Sequence, residues 1–143
     1  MSIEGFIGTW KLISSEFRSS NGKVSYPWGT DVDGRLIYTA DGNVAVQIMS
    51  PGRPSFAAKD HMKGTDREIR AAFEGYQAYY GTITLNESEK TITHHIQGSV
   101  FPNLIGHNLK RFYNLSRDEL TLSTPPMPMG GEVVTGVLIW KRM

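Results

Sequence analysis

Cysteine is missing from all 143 residues, which excludes disulfides, a thiolate metal site and a cysteine nucleophile. No apolar run approaches the length that crosses a bilayer as a helix. A surplus of one charge is also lacking. Fifteen Lys and Arg face 14 Asp and Glu, the net charge is +1, and the basic residues are scattered, unlike the stripe that a nucleic-acid surface needs. The first residues, Met1-Ser2-Ile3-Glu4-Gly5, lack the basic and apolar regions of a signal peptide. With the absence of cysteine, this sets the expectation of a cytoplasmic protein without a membrane span. There is no Gly-rich phosphate loop, no Gly-x-Ser-x-Gly elbow and no acidic cluster with calcium or magnesium spacing. Neither a cofactor nor a metal is expected.

What is present is a series of short β-like runs divided by turn signals. The first, residues 8–18, opens on Gly8-Thr9-Trp10 and ends before Asn21-Gly22, two residue types that both tolerate positive φ. Residues 23–32, with Tyr26-Pro27-Trp28-Gly29, read as an irregular connection. Asp33-Gly34 then introduces Arg35–Thr39, and Ala40-Asp41-Gly42 turns that run into Asn43–Met49, a hairpin. Further strands are expected at 79–85, 90–98, 108–115, 119–124 and 132–142, with short polar turns at 86–89 and 116–118 and longer connections at 101–106 and 125–131.

One segment has a different period. Residues 50–64 are rich in Pro and Gly and form a loop, after which Thr65 stands three residues before Glu68, the spacing of a capping box. Ile69, Ala72, Phe73 and Tyr76 follow at i, i+3, i+4 and i+7, leaving Arg67, Arg70, Glu74 and Gln77 to face water. Such a helix packs on the outside of a sheet or plugs one end. About eight strands, mostly sequential neighbours, predict one all-β domain over residues 1–143. Its architecture is an eight-stranded antiparallel up-and-down β-barrel with a short amphipathic helix inserted between strands three and four. A barrel of about eight strands encloses side chains and room for one small ligand.

These same residues resemble the lipocalin-like domain proteins of bacteria and fungi, relatives of the calycin barrels. The likeness runs through Gly8-Thr9-Trp10, Tyr26-Pro27-Trp28-Gly29, Leu36–Gly42, Arg70–Tyr76, Thr93-His94-His95 with Gly98-Ser99, Phe101-Pro102-Asn103, Leu122–Pro126 and Trp140-Lys141-Arg142. It covers nearly the whole chain. The resemblance implies a lipocalin-like barrel, a fold that hosts transport, sensing and catalysis alike. It further implies that the Trp10 indole plugs the closed end while Arg142 stacks over it, a cation–π contact that stabilises rather than reacts.

Candidate ligand contacts are the polar and aromatic groups near strand ends: Tyr38, Gln47, Tyr80, His95, Asn103, Arg111 and Tyr113, with Tyr79 a further polar group of this kind. His94 and His95 are adjacent on a strand, so they face opposite sides and do not share a metal ion. A dry core takes the apolar row Ile92, His94 and Ile96 inward; a wet cavity takes Thr91, Thr93, His95, Gln97 and Ser99. The second arrangement is preferred here, with His95 in the cavity as a hydrogen-bonding fixture or an acid–base group. Arg111 and Tyr113 share a face. Together they bind a ligand oxygen, or Arg111 pairs with Glu16, which follows Trp10, Leu12 and Ser14 at period two on the inner row. The expected function is binding of a small, largely apolar molecule with a polar or acidic group. The alternative is a cofactor-independent isomerase, cyclase or hydratase acting on a secondary metabolite, with His95 and Arg111 catalytic. No nucleic-acid partner is expected, and nothing in the sequence sets the oligomeric state.

Overall fold

The computed structural model describes residues 3–129 and 131–143. Its strands are β1 (Gly8–Ser19), β2 (Val24–Ser25), β3 (Asp33–Tyr38), β4 (Asn43–Met49), β5 (Tyr76–Asn86), β6 (Thr91–Ser99), β7 (Asn108–Leu115), β8 (Glu119–Ser123), β9 (Met127–Met129) and β10 (Glu132–Arg142). A helix, α1 (Asp66–Glu74), lies between β4 and β5, and a 3-10 turn spans Pro102–Leu104. Eight strands pair antiparallel in the order β1-β3-β4-β5-β6-β7-β8-β10, and β10 returns to β1. The sheet therefore closes into a barrel. The two-residue β2 and three-residue β9 are short additions to the edges of β1 and β10. Since β2 is not a barrel stave, the helix follows the third barrel strand, β4, as expected. Gly130, within the expected connection 125–131, lies outside the described residues.

The two ends differ. One carries the tight hairpins at Thr39–Gly42, Glu87–Lys90 and Ser116–Asp118, and Trp10 pairs with Arg142 there. The Arg142 guanidinium sits 4.2 Å from the Trp10 ring centre. It donates to the carbonyls of Gly5 (2.6 Å), Ile7 (2.9 Å) and Arg117 (2.9 Å), while the Trp10 indole donates to Phe6 O at 2.9 Å. The expected plug is present, and this end is closed. The opposite end carries the long connections, α1 among them.

Inner rows are apolar. Trp10, Leu12, Leu36, Val44, Val46, Ile48, Leu85, Ile92, Leu120, Leu122 and Trp140 form one buried cluster. Two β-bulges change the phase of the rows. In β1 the register shifts between Leu12 and Ser14, so Leu12 opposes Trp140 while Ser15 opposes Leu138. The extra residue, Ile13, turns the strand over by one position. Ser15 then points inward and Glu16 outward, where its carboxylate takes Arg18 Nε at 2.6 Å. This corrects the expected inner row through Ser14 and Glu16 and removes Glu16 as the partner of Arg111. In β6 the shift beside Tyr80 leaves Gln97 unpaired.

The helix begins as its sequence requires. Thr65 Oγ1 accepts from Glu68 N (3.2 Å) and Glu68 Oε1 from Thr65 N (2.8 Å). Its apolar face, however, is not sealed against the barrel. Ile69 and Phe73 are 51% and 46% exposed, and no residue of α1 is buried. No helix among the described residues is long and apolar enough to cross a membrane.

Candidate functional site

Few polar side chains interrupt the inner rows, and four of them converge. His94 sits between Ile92 and Ile96 on β6, 1% exposed. Its Nε2 lies 2.7 Å from Tyr38 Oη and its Nδ1 2.7 Å from Tyr79 Oη. Tyr38 ends β3 near the closed end. Tyr79 stands near the start of β5, toward the open end, on the inward row with Gly81, Ile83 and Leu85. Register places Arg111 on the same face: it opposes Ile92 across the β6–β7 ladder, while Leu109 opposes His94. Arg111 is thus the diagonal neighbour of His94, within reach of a long side chain.

Burial sets the charge state of this cluster. Desolvation first, then the Arg111 charge and then His95, push the His94 imidazole down to about 3, so it is neutral at physiological pH. Burial raises the Tyr79 phenol to about 12, opposed by Arg111. Burial likewise raises Tyr38 well above an ordinary phenol, with Tyr79 adding to the rise and Arg111 opposing it. Arg111 donates to Lys110 O at 3.1 Å. Among the described residues no carboxylate lies within ion-pair distance of it. The arrangement is a neutral Tyr–His–Tyr chain beside a cation that lacks an anionic partner among the described residues. Elsewhere in the core the Trp140 Nε1–H is buried without an acceptor among the described residues.

Other expected site residues separate into two groups. Tyr38, Arg111 and Tyr113 face inward; Tyr113 packs edge-on to Phe6 at 4.9 Å, and burial raises its phenol. Gln47, Tyr80 and His95 do not join them. Gln47 alternates with the buried Val46 and Ile48 and is exposed. Tyr80 is 59% exposed and covers the α-carbon of Gly98 on the outer face. The preferred orientation of the histidines is reversed: His95 faces outward and binds Thr84 (2.6 Å) and Asn108 (2.7 Å), because the apolar row of β6 faces the core. Asn103 lies exposed in the 3-10 turn at the open end. Sequence reasoning preferred His95 to His94, and it counted Tyr79 among the polar groups near strand ends without choosing it as a ligand contact.

A second feature sits at the open end. The loop before α1, the exposed face of the helix and Val100 enclose a groove of about 800 Å³ lined by Phe56, Met62, Ile69, Phe73, Tyr76 and Val100. Loop and helix are tied together. Glu68 Oε2 accepts from Ala57 N at 2.8 Å, Arg53 Nη1 donates to Ala72 O at 3.2 Å, and the Arg53 guanidinium covers the Tyr76 ring at 4.9 Å. Volumes of this order suit a small organic molecule.

With barrel, plug and interior cluster in place, the chain can be set among known proteins. It belongs to the lipocalin-like domain family, whose pattern matches residues 7–143. It is 30% identical over 107 residues to a 4'-hydroxy-3'-methoxypropiophenone carrier protein of Aspergillus oryzae, covering 70% of this chain and 96% of that protein. No solved structure gives a significant match. The family and the relative support small-molecule binding as the general role.

Proposed function

We propose that the barrel binds one small, largely apolar molecule that carries a polar or acidic group. The observation behind this reading is Arg111, an inward-facing cation without a carboxylate partner among the described residues, set beside neutral phenols in an otherwise apolar interior. A half-buried guanidinium facing an apolar interior without a counter-charge is unfavourable, and a ligand's polar group supplies what the protein leaves out. The relative's aryl ketone is one member of this class. In this reading Arg111 and Tyr113 contact ligand, Tyr38 stands behind His94, and Gln47, Tyr80, His95 and Asn103 do not touch it.

Binding to the folded state alone raises the melting temperature by mass action, about 2.7 kcal/mol of stabilisation at a ligand concentration 100 times Kd. A thermal-shift panel of fatty acids, terpenoids, polyketides, phenolics and aryl ketones should give at least one clear upward shift, reduced by Arg111→Met. A panel that leaves the melting temperature unmoved throughout refutes the proposal. The alternative, a cofactor-independent isomerase, cyclase or hydratase, gains less support. Acid–base catalysis works best with a group titrating near the working pH, and His94 at about 3 and Tyr79 at about 12 lie far from it. His95, the earlier catalytic candidate, faces away from the interior.

A further inference from the structure

Counting protons in the interior cluster gives the Tyr–His–Tyr chain a direction. Two phenols and one neutral imidazole hold three polar hydrogens, and the two 2.7 Å contacts use two of them. One hydrogen is left to point elsewhere. Among the described residues no other hydrogen bond is made by either tyrosine hydroxyl. If His94 donated to Tyr38, the spare hydrogen would belong to Tyr38, which is 1% exposed and packed against Phe6. A buried donor without an acceptor is strongly disfavoured. The chain therefore runs the other way. Tyr38 donates to Nε2, the Nδ1–H donates to Tyr79, and the free hydroxyl hydrogen belongs to Tyr79, the partly buried member nearer the open end.

We infer that Tyr79 Oη–H, aligned by Tyr38 and His94 and assisted by Arg111, is the donor for an oxygen acceptor on the bound molecule: a ketone, enolate or carboxylate oxygen. The inference rests on the binding function proposed above and specifies the ligand's polar group. Arg111 adds only donors and positive charge, so an oxygen with lone pairs satisfies both partners. His94 and Tyr38 are positioning residues; they hold the Tyr79 hydroxyl and touch no ligand.

Two measurements test it. Long-range proton–nitrogen NMR of the ligand-free protein should show His94 protonated at Nδ1, and protonation at Nε2 overturns the inference. Propiophenone and propylbenzene then serve as probes, since they share ring and carbon chain and differ by the ketone oxygen. Propylbenzene is the more apolar, so burial alone favours it. The wild-type protein should instead prefer propiophenone by about three- to tenfold, the range of one hydrogen bond. The carbonyl stretch of bound propiophenone should move to lower frequency. Tyr79→Phe should weaken the preference and reverse part of the frequency shift, the remainder belonging to Arg111, and a cooperative urea transition shows that the variant is folded. A folded variant that keeps both effects in full overturns the assignment to Tyr79. Should that variant not fold, the carbonyl stretch in the wild type decides. Equal binding of the two probes overturns the oxygen site and leaves the binding function standing. A protein that binds neither probe nor any member of the wider panel overturns both.

Discussion

His94 carries a cost that depends on pH. Its folded-state pKa is depressed to about 3, from an ordinary 6.5, so below pH 6.5 the unfolded chain takes up a proton that the folded protein refuses. The stabilisation is complete above about pH 6.5 and declines as pH falls toward 3. Between pH 7.5 and 5 the expected loss is about 2 kcal/mol. Depressed pKa values at the carboxylates of Asp33, Asp41, Glu68 and Glu89 act in the same direction at lower pH. Urea denaturation at the two pH values should show the drop. His94→Gln, which keeps hydrogen bonding without titrating, should flatten it; an unchanged slope in the variant would remove His94 as its source. The residues of this cluster were legible in part. Tyr38 and Arg111 are among the candidates named from sequence. His95 is preferred to His94 when the polar row of β6 is given to the cavity, and position near a strand end does not separate the inward Tyr79 from the outward Tyr80 and Gln47. The physical order is the reverse: polar rows meet water, and a lone polar residue in an apolar row marks the interior cluster.

At the scale of elements, turns and capping signals carried further than face assignments. The Asp41-Gly42 hairpin, the Thr65–Glu68 capping box and the strands of the second half stand close to their expected bounds, since each depends on local chemistry. Bulges do not. Ile13 and Gln97 are set by how neighbouring strands meet, and no residue type within β1 announces that Glu16 will turn outward. The bulge in β6 lies beside a close approach. A Cβ built on Gly81 would fall 1.8 Å from the His95 carbonyl oxygen, which is backbone and is held in the ladder. Gly81→Ala should therefore destabilise the protein by about 3 kcal/mol, at the upper end of overpacking effects. A urea midpoint equal to that of the parent would show that the ladder gives way at little expense. The helix illustrates a different limit. Its amphipathic period gave the face through Ile69 and Phe73 but carried it on to Tyr76 and Gln77, which belong to β5, because α1 stops at Glu74 before the Gly75 cap. The apolar face borders an open groove instead of a sealed contact, because α1 stands over the barrel mouth.

For the whole molecule, closure is the organising contact. β10 pairs with β1 from Trp10↔Arg142 to Ser19↔Val134, and the end of that seam is plugged by a fully buried Trp10 under the Arg142 guanidinium. Trp10→Ala should cost about 3–5 kcal/mol, the range for emptying a buried aromatic site. Any ligand binding lost in this variant should return on cooling to where it is folded. A Trp10→Ala protein that melts like the parent but does not bind would place the indole in the ligand site instead. The seam also has a consequence in time. Within this domain the ribosome makes β1 before every other strand and β10 after them, so the flank of β1 that β10 will occupy stays unpaired throughout synthesis of the intervening staves. During that interval the nascent chain presents Leu12, Ile13 and Phe17 beside free backbone donors and acceptors, a template for pairing with a neighbouring nascent copy. The finished barrel has no such edge there; the half-made one does, and its vulnerability ends only when the Trp140-Lys141-Arg142 segment emerges.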